Sequence, residues 1–336
     1  MAENSSIEWT DTTWQVTTGC EEVSPGCGHC YARTMAKRLR AMALADIAAG
    51  KDPGAKRHYI NAVDERGKWT GKVVPRPDAL NEPLRWKKPR RVFVNSMSDL
   101  FHPDVPFAFI DQVFAVMALT PQHTYQVLTK RPERMAEYLT RSDAHNQIEL
   151  GAEELGLGMG DPALGGKYRF RSLPFQNVWL GTSVENQETC SRLDYLTKCP
   201  AAVRFVSFEP LLESVDPGFR NWADDPKYRI HWAIMGGESG PGARPCNADW
   251  IRFLIDDCRH ADVACFVKQL GANAYDETNR PAADVLFPNG VPDGVVCEGF
   301  VQRRHDLALA DRKGGDMAEW PADLRVRQFP TKATSK

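Results

Sequence analysis

Residues 91–99 read Arg-Val-Phe-Val-Asn-Ser-Met-Ser-Asp, a short apolar run that gives way to a mostly polar segment. The run is rich in Val and Phe and does not alternate strictly, which is typical of a strand covered on both faces. We expect a first strand at residues 14–18. Similar runs occupy residues 125–129, 178–181, 203–207, 230–235 and 263–267.

Helical patterns lie between these strands. They cover residues 31–44, 106–119, 133–139, 187–196 and 248–259. Strands that alternate with helices indicate parallel βαβ units. Seven strand candidates therefore predict an α/β fold, a partial or full parallel (β/α) barrel with long insertions, and a doubly wound open sheet is the alternative.

The 336 residues are enough for one large α/β domain with a substantial core. We expect the barrel to span residues 1–271, with insertions at about 51–91 and 141–176, where Pro, Gly and charge interrupt the alternation. Residues 272–336 have few periodic runs, and we expect an irregular extension packed on the barrel.

Composition excludes two classes of protein. The net charge of -2 excludes a chain that is basic throughout, so any surface for nucleic acid must be local. No apolar run reaches the roughly 18 residues of a membrane span, and residues 1–10 lack the apolar core of a signal peptide. We therefore expect a cytoplasmic protein without membrane contact; its oligomeric state is left open.

The first insertion is locally basic. Residues 51–91 hold twelve Lys or Arg and five Asp or Glu, with Tyr59, Trp69 and Trp86 interleaved. Basic groups for phosphates and aromatic rings for bases form a known pairing, so this segment is a candidate nucleic-acid contact. A solvated surface loop is the alternative.

Three of the nine cysteines are clustered in residues 19–32, Gly-Cys-Glu-Glu-Val-Ser-Pro-Gly-Cys-Gly-His-Cys-Tyr-Ala. Cys20, Cys27 and Cys30 thus have the spacing Cys-x6-Cys-x2-Cys, and the Pro and Gly residues between them allow the backbone to turn back. Three thiolates without a fourth nearby cysteine can hold three irons of a [4Fe-4S] cluster and leave one iron open, as a catalytic centre requires.

Structural zinc is the competing interpretation, because zinc accepts Cys3His sites. His29, His58 or Cys297 could then supply the fourth ligand. The Cys258-x6-Cys265 pair repeats the first gap but crosses a helix end and a buried strand, so we expect it in the core.

Polar side chains follow five of the predicted strands, and the loops at the carboxyl ends of the strands build the active site in β/α barrels. Conspicuous segments read Ile-Glu-Trp-Thr at 7–10, Val-Asn-Ser-Met-Ser-Asp-Leu-Phe-His at 94–102, Leu-Thr-Lys-Arg-Pro at 128–132, Trp-Leu-Gly at 179–181, Ser-Val-Glu-Asn at 183–186, Ser-Phe-Glu-Pro-Leu at 207–211 and Gly-Gly-Glu-Ser-Gly at 236–240. With Thr-Gly-Cys at 18–20 and Ser-Pro-Gly-Cys at 24–27, they resemble the phage three-Cys-motif, radical-SAM-like protein family over roughly residues 7–271.

The cysteine loop also resembles the radical S-adenosylmethionine superfamily, whose common spacing is Cys-x3-Cys-x2-Cys. The resemblance implies a TIM-like barrel, a [4Fe-4S] cluster held by Cys20, Cys27 and Cys30, and S-adenosylmethionine as cofactor. It also implies location in the host cytoplasm if the protein is phage-encoded.

The resemblance further suggests which side chains meet the cofactor. Ser96, Ser98 and Asp99 are candidates for its ammonium, Lys130 and Arg131 for its carboxylate, and Tyr31 for its adenine. Ribose candidates are Ser183, Glu185 and Asn186. We expect Gly236 and Gly237 to let a ligand approach the backbone, with a tight structural turn as the alternative.

Glu209 and Glu238 are the candidate catalytic carboxylates that face the substrate. The expected function is a radical S-adenosylmethionine enzyme that abstracts hydrogen, with a nucleic acid or nucleotide as candidate substrate. A protein partner or reductant is also expected. The alternative is a zinc- or cluster-stabilised barrel that binds nucleic acid or protein without radical chemistry.

Overall fold

A computed structural model describes residues 5–157, 172–222, 225, 228–281 and 300–330 of the chain. The strands are β1 (Thr12–Trp14), β2 (Thr17–Thr18), β3 (Val74–Pro75), β4 (Arg91–Val94), β5 (Thr124–Thr129), β6 (Val178–Ser183), β7 (Val203–Phe208), β8 (Trp232–Gly236), β9 (Cys246–Asn247), β10 (Ala264–Gln269), β11 (Ala274–Pro281) and β12 (Phe300–Asp306). The helices are α1 (Tyr31–Ala48), α2 (Pro77–Leu80), α3 (Phe107–Leu119), α4 (Pro132–Leu139), α5 (Ala144–Glu154), α6 (Leu193–Leu196), α7 (Phe219–Trp222) and α8 (Ala248–His260).

Seven strands form one parallel sheet in the order β1-β4-β5-β6-β7-β8-β10. The sheet is curled into a half-barrel with helices, which confirms the predicted α/β partial barrel. Each successive strand joins the same side of the sheet, whereas a doubly wound sheet reverses direction at a switch point. The alternative of a doubly wound sheet is therefore wrong.

Side chains of the sheet strands alternate between two cores. Val92 and Val94 pack with the helices in the larger core, whereas Phe93 between them belongs to a smaller core. Trp9, from the segment before β1, is buried in this smaller core. Its other buried members are Trp179, Val203, Phe205, Trp232, Ile234 and Phe266.

The first strand differs from the predicted residues 14–18. β1 ends at Trp14, and β2 leaves the sheet to pair with β3. The cause is Asn95, whose side-chain oxygen accepts hydrogen bonds from the backbone N–H groups of Val16 and Thr17 at 2.9 and 3.1 Å. A side chain thus replaces a neighbouring strand as the partner of this backbone.

The C-terminal segment is more regular than predicted. β11 and β12 form an antiparallel hairpin, and β11 also pairs with β9. Trp320 and Leu324 are buried in the larger core, and Phe329 lies against Trp232 with ring centroids 5.3 Å apart. The segment therefore packs on the edge strand β10. Cys297 and residues 158–171 lie outside the described residues.

Among the described residues, no helix combines the length and apolar character needed to cross a membrane.

Candidate cofactor site at the carboxyl ends of the strands

A cavity of about 390 Å³ opens at the carboxyl ends of the sheet strands. The predicted site residues in its lining are Cys20, Cys27, Cys30, Tyr31, Ser96, Ser98, Asp99, Lys130, Arg131, Ser183, Glu209, Gly237 and Glu238. Glu185, Asn186 and Gly236 lie outside the lining. The fold therefore brings the cysteines, two basic residues and two candidate carboxylates to one cavity.

The loop that carries Cys27 rests on a buried carboxylate. Glu185 follows β6 and is fully buried; its oxygens accept from Lys130, from Arg192 at 3.0 Å and from Ser24 at 2.9 Å. A Cβ added to Gly26 would lie 2.6 Å from Cγ of Glu185, so only glycine fits here. Glu185 therefore holds the cysteine loop in place through Ser24.

Polar residues after β4 hold the start of the same loop. Ser98 donates to the Gly19 carbonyl at 2.6 Å, next to Cys20, and its hydroxyl contacts Thr17. Ser96 accepts from Gln15 at 2.5 Å. These hydroxyls already have protein partners, so their first role is to position the loop.

The three cysteines of the loop are buried or partly buried. Cys27 is 8% exposed, and Cys20 and Cys30 are intermediate. Burial, followed by the Asp99 carboxylate, raises the pKa of Cys20 to about 12, and burial also raises the pKa of Cys30. Thiolates here therefore require a positive centre, which a metal ion or cluster supplies.

Within the described ranges, no group of three or more His, Cys, Asp or Glu side chains is placed to hold one metal ion. The histidines named as zinc ligands have other contacts. His29 Nδ1 lies 2.9 Å from Glu238, and His58 lies 3.9 Å from Asp78.

Asp99 organises the basic side of the cavity. Its two oxygens accept from Thr129 Oγ1 and the Phe101 N–H, and from the Lys130 N–H and Arg131 Nη1. Four donors satisfy this buried carboxylate, which leaves little capacity for the ammonium that we predicted as its partner.

Arg131 connects this carboxylate to the cysteines. Its guanidinium lies beside the Cys20 thiol, and its Nη2 atom is buried without a hydrogen-bond partner, 3.6 Å from a Glu21 oxygen. Burial would lower the pKa of Arg131, but Asp99 and Cys20 outweigh it and raise the pKa. Such a fixed cation favours negative charge at Cys20.

The two candidate catalytic carboxylates are both paired. Glu238 binds the Arg244 guanidinium at 2.6 Å as well as His29, while Glu209 binds Lys268 at 2.9 Å. Burial would raise the pKa of Glu238, but hydrogen bonds from Arg244 hold it below its usual value. Arg244 also donates to the Pro25 carbonyl at 2.9 Å, so Glu238 anchors the cysteine loop from the opposite side.

The paired glycines have a packing role. A Cβ on Gly236 would lie 2.8 Å from the Gln269 carbonyl oxygen, and one on Gly237 would overlap the Leu270 carbonyl. The backbone that follows the neighbouring strand, rather than a ligand, therefore occupies the space that these glycines leave open.

Sequence reasoning missed Lys268 and Gln269, although both line the cavity. They end β10, so the rule that polar residues follow barrel strands could have found them. No comparable sequence pattern identifies Arg192 or Arg244 as a residue of the site. Asn186 only caps the following turn, where its side chain accepts from the Thr189 N–H at 3.1 Å.

The three aromatic residues of the first insertion lie in different parts of the structure. Tyr59 is buried against α1, and Trp86 packs beside His123 at 5.6 Å; only Trp69 lines the cavity. Tyr59 is thus a core residue and the partly buried Trp86 packs against the larger core, so neither lines the cavity.

Fold and site together define an α/β partial barrel with a cavity, lined by three cysteines, at the carboxyl ends of its strands. The chain belongs to the family described as "Protein of unknown function (DUF5131)", whose model matches residues 4–315. Among solved structures it is similar to a mutant of spore photoproduct lyase, with 12% identity and a TM-score of 0.35, covering 90% of this chain and 72% of that chain. None of the curated proteins compared with it matches.

Proposed function

We propose that this protein is an iron–sulfur enzyme of the radical S-adenosylmethionine type. The observation that carries the proposal is the cavity itself, whose lining includes Cys20, Cys27 and Cys30 at the carboxyl ends of a parallel half-barrel. Three thiolates suit a [4Fe-4S] cluster with one open iron, and S-adenosylmethionine would occupy that position.

The chemistry of the lining supports this fit. Buried thiols need a cationic partner to ionise, and the Arg131 guanidinium, whose Nη2 has no hydrogen-bond partner, lies beside Cys20. A hydrogen bond from a guanidinium to a cluster thiolate is a common way to stabilise the reduced state. Arg131 is thus a candidate donor to the cluster rather than to the cofactor carboxylate.

The cluster and S-adenosylmethionine would supply one-electron cleavage of the sulfonium and hydrogen abstraction. The protein holds the cysteine loop between two carboxylates, Glu185 on one side and Glu238 on the other. Ser183 remains a candidate for the ribose of the adenosine, because it lines the cavity. Trp9 and Phe93, also in the lining, exclude water from its floor.

The proposal predicts the metal content of the protein. After anaerobic reconstitution the chain should hold about four irons and four sulfides. Replacement of Cys20, Cys27 or Cys30 by Ala should abolish this content. Cys190→Ala is the control, because this thiol lies near the Asp216 carbonyl, outside the cavity lining.

Formation of 5′-deoxyadenosine from S-adenosylmethionine and dithionite should accompany the cluster and disappear in the three cysteine variants. One zinc per chain, no iron, and no 5′-deoxyadenosine would contradict the proposal and support the zinc-stabilised binding barrel.

A further inference from the structure

Two aromatic rings stand at the mouth of the cavity. Tyr31 is 56% exposed, yet its hydroxyl donates to the Ser96 carbonyl at 2.5 Å, which fixes the ring and leaves its surface open. Trp69 is partly buried, packs against the small cluster that contains Tyr59, and is held by a backbone bridge to Val63. Rings fixed in this way are suited to stacking against bases.

Three exposed basic residues lie close to these rings along the chain and outside the cavity lining. Arg38 lies seven positions after Tyr31, on the same face of α1. Lys68 adjoins Trp69, and the Lys72 carbonyl lies against Gly19, next to Cys20. All three side chains are exposed, and none has an ion-pair partner among the described residues.

Acidic residues accompany this charge, because Glu8 and Glu21 line the cavity. Asp64 and Glu65 occupy the turn before Lys68, and Asp64 accepts a hydrogen bond from the Lys68 backbone N–H at 2.8 Å. A ligand that lies wholly inside the cavity cannot contact these basic groups, so their ligand must extend beyond the cavity. Because there are several such groups, the ligand should carry negative charges at intervals along its length.

We infer that the mouth of the cavity binds single-stranded nucleic acid, with bases stacked on Tyr31 and Trp69 and phosphates near Arg38, Lys68 and Lys72. A duplex hides the base faces that such rings would contact, so the strand must be unpaired or opened there. The inference rests on the proposed function for the reaction inside the cavity, but the binding itself requires no cluster.

The chain offers a matched control for this surface. Lys87, Lys88 and Arg90 belong to the same basic insertion but precede β4, at the amino end of the sheet. Because the cavity lies at the carboxyl ends, these three residues are on the opposite side of the barrel.

Fluorescence anisotropy with labelled single-stranded DNA and RNA of mixed sequence, across a salt series, tests the inference in the full-length protein. Arg38→Glu/Lys68→Glu/Lys72→Glu should weaken binding at least about tenfold and reduce the log–log salt slope by about two, since each phosphate contact contributes about 0.7. Lys87→Glu/Lys88→Glu/Arg90→Glu, with the same change in net charge, should weaken binding less than about twofold.

The aromatic contribution is tested separately. Tyr31→Leu and Trp69→Leu should each weaken binding about fivefold or more with an unchanged salt slope, because stacking involves no counterion release. Equal losses in the two charge-reversed triples, or no binding by the natural chain at low salt, would overturn the inference. In the latter case the exposed Met35 and Met42 on the same helix face would favour a protein partner.

The Cys20→Ala variant separates this inference from the proposed function. It should lose iron but keep its affinity for the oligonucleotides. If the natural protein binds the oligonucleotides but never takes up iron, the nucleic-acid surface is supported and the proposed enzyme is refuted. If the natural protein takes up a cluster but does not bind the oligonucleotides, the enzyme is supported and the nucleic-acid surface is refuted.

Discussion

The two ends of the concave face are built from opposite kinds of side chain. Toward the amino ends of the strands, Trp232 lies among other rings, with Trp179 and Trp9 at centroid distances of 5.8 and 6.1 Å. At the carboxyl ends, the wall of the cavity is made of paired charges such as Glu209 with Lys268. The same strands thus carry a buried aromatic layer and, above it, a cavity whose wall contains paired charges.

This difference assigns the residues at the amino ends of the strands to stability and those at the carboxyl ends to the proposed reaction. In β/α barrels the carboxyl ends of the strands carry the reaction, whereas the other end contributes to stability. Substitutions in the aromatic layer should therefore change the free energy of unfolding, and substitutions around the cysteine loop should change the iron content.

Trp232→Ala should have the largest effect. It removes a fully buried ring from the aromatic layer, at a cost of about 3–5 kcal/mol in unfolding free energy. Chemical denaturation measures this cost, with Trp232→Phe as a milder control. The fraction that stays folded should still take up iron normally; a selective loss of iron would break the separation between the two ends.

Glu185→Gln should destabilise the protein by about 3 kcal/mol, because Arg192 and Lys130 would lose their buried counter-charge. Unlike the tryptophan variant, it should also lower the iron content, since Ser24 of the cysteine loop donates to this carboxylate. Iron analysis at matched folded fraction provides the comparison. Normal iron content would show that the loop does not depend on Glu185.

Gly26→Ala should cost about 1–3 kcal/mol through overpacking against Glu185, and it should displace Cys27. Gly28→Ala is the matched control in the same loop, because its added Cβ would meet only the Pro25 carbonyl oxygen at 3.4 Å. Iron per chain should fall in the first variant and persist in the second. Equal iron in both would mean that the loop can shift without losing its ligands.

The last predicted effect is a pH dependence at the amino end, which is confined to pH values below about 6.5. Burial, followed by the charges of Arg204 and Arg229, lowers the pKa of His231 to about 4 from its ordinary value of 6.5. The unfolded chain therefore takes up a proton that the folded chain refuses, and stability falls as the pH drops from about 6.5 to about 4.

His231→Asn should flatten this part of the stability profile while leaving it unchanged above pH 7, as measured by urea unfolding at a series of pH values. Parallel profiles for the two proteins between pH 6.5 and 4 would contradict the assignment.

The strands could be predicted because their apolar runs are contiguous. The strand predicted at residues 91–95 is observed as Arg91–Val94, and the strand predicted at residues 203–207 is observed as Val203–Phe208. Each differs from its prediction by one residue at its carboxyl end. The start of the sheet could not be predicted in the same way, because Thr17 binds the side chain of Asn95, a partner 78 positions away.

The sequence could predict which polar residues belong to the site, but not which residues they pair with. Residue type and strand-end position identified Asp99, Glu185 and Glu238 as polar groups of the site. Their partners depend on tertiary contacts such as that between Ser24 and Glu185, which are 161 positions apart. Such contacts decide whether a carboxylate faces a ligand or fixes a loop.

The central claim is that three cysteines hold a cluster with one iron open to S-adenosylmethionine. Mössbauer spectroscopy of the ⁵⁷Fe-reconstituted protein, with and without S-adenosylmethionine, tests it most directly. We predict a [4Fe-4S] spectrum in which one iron out of four changes its parameters when S-adenosylmethionine is added. Four irons that all remain unchanged, or the absence of any cluster after anaerobic reconstitution, would contradict the claim.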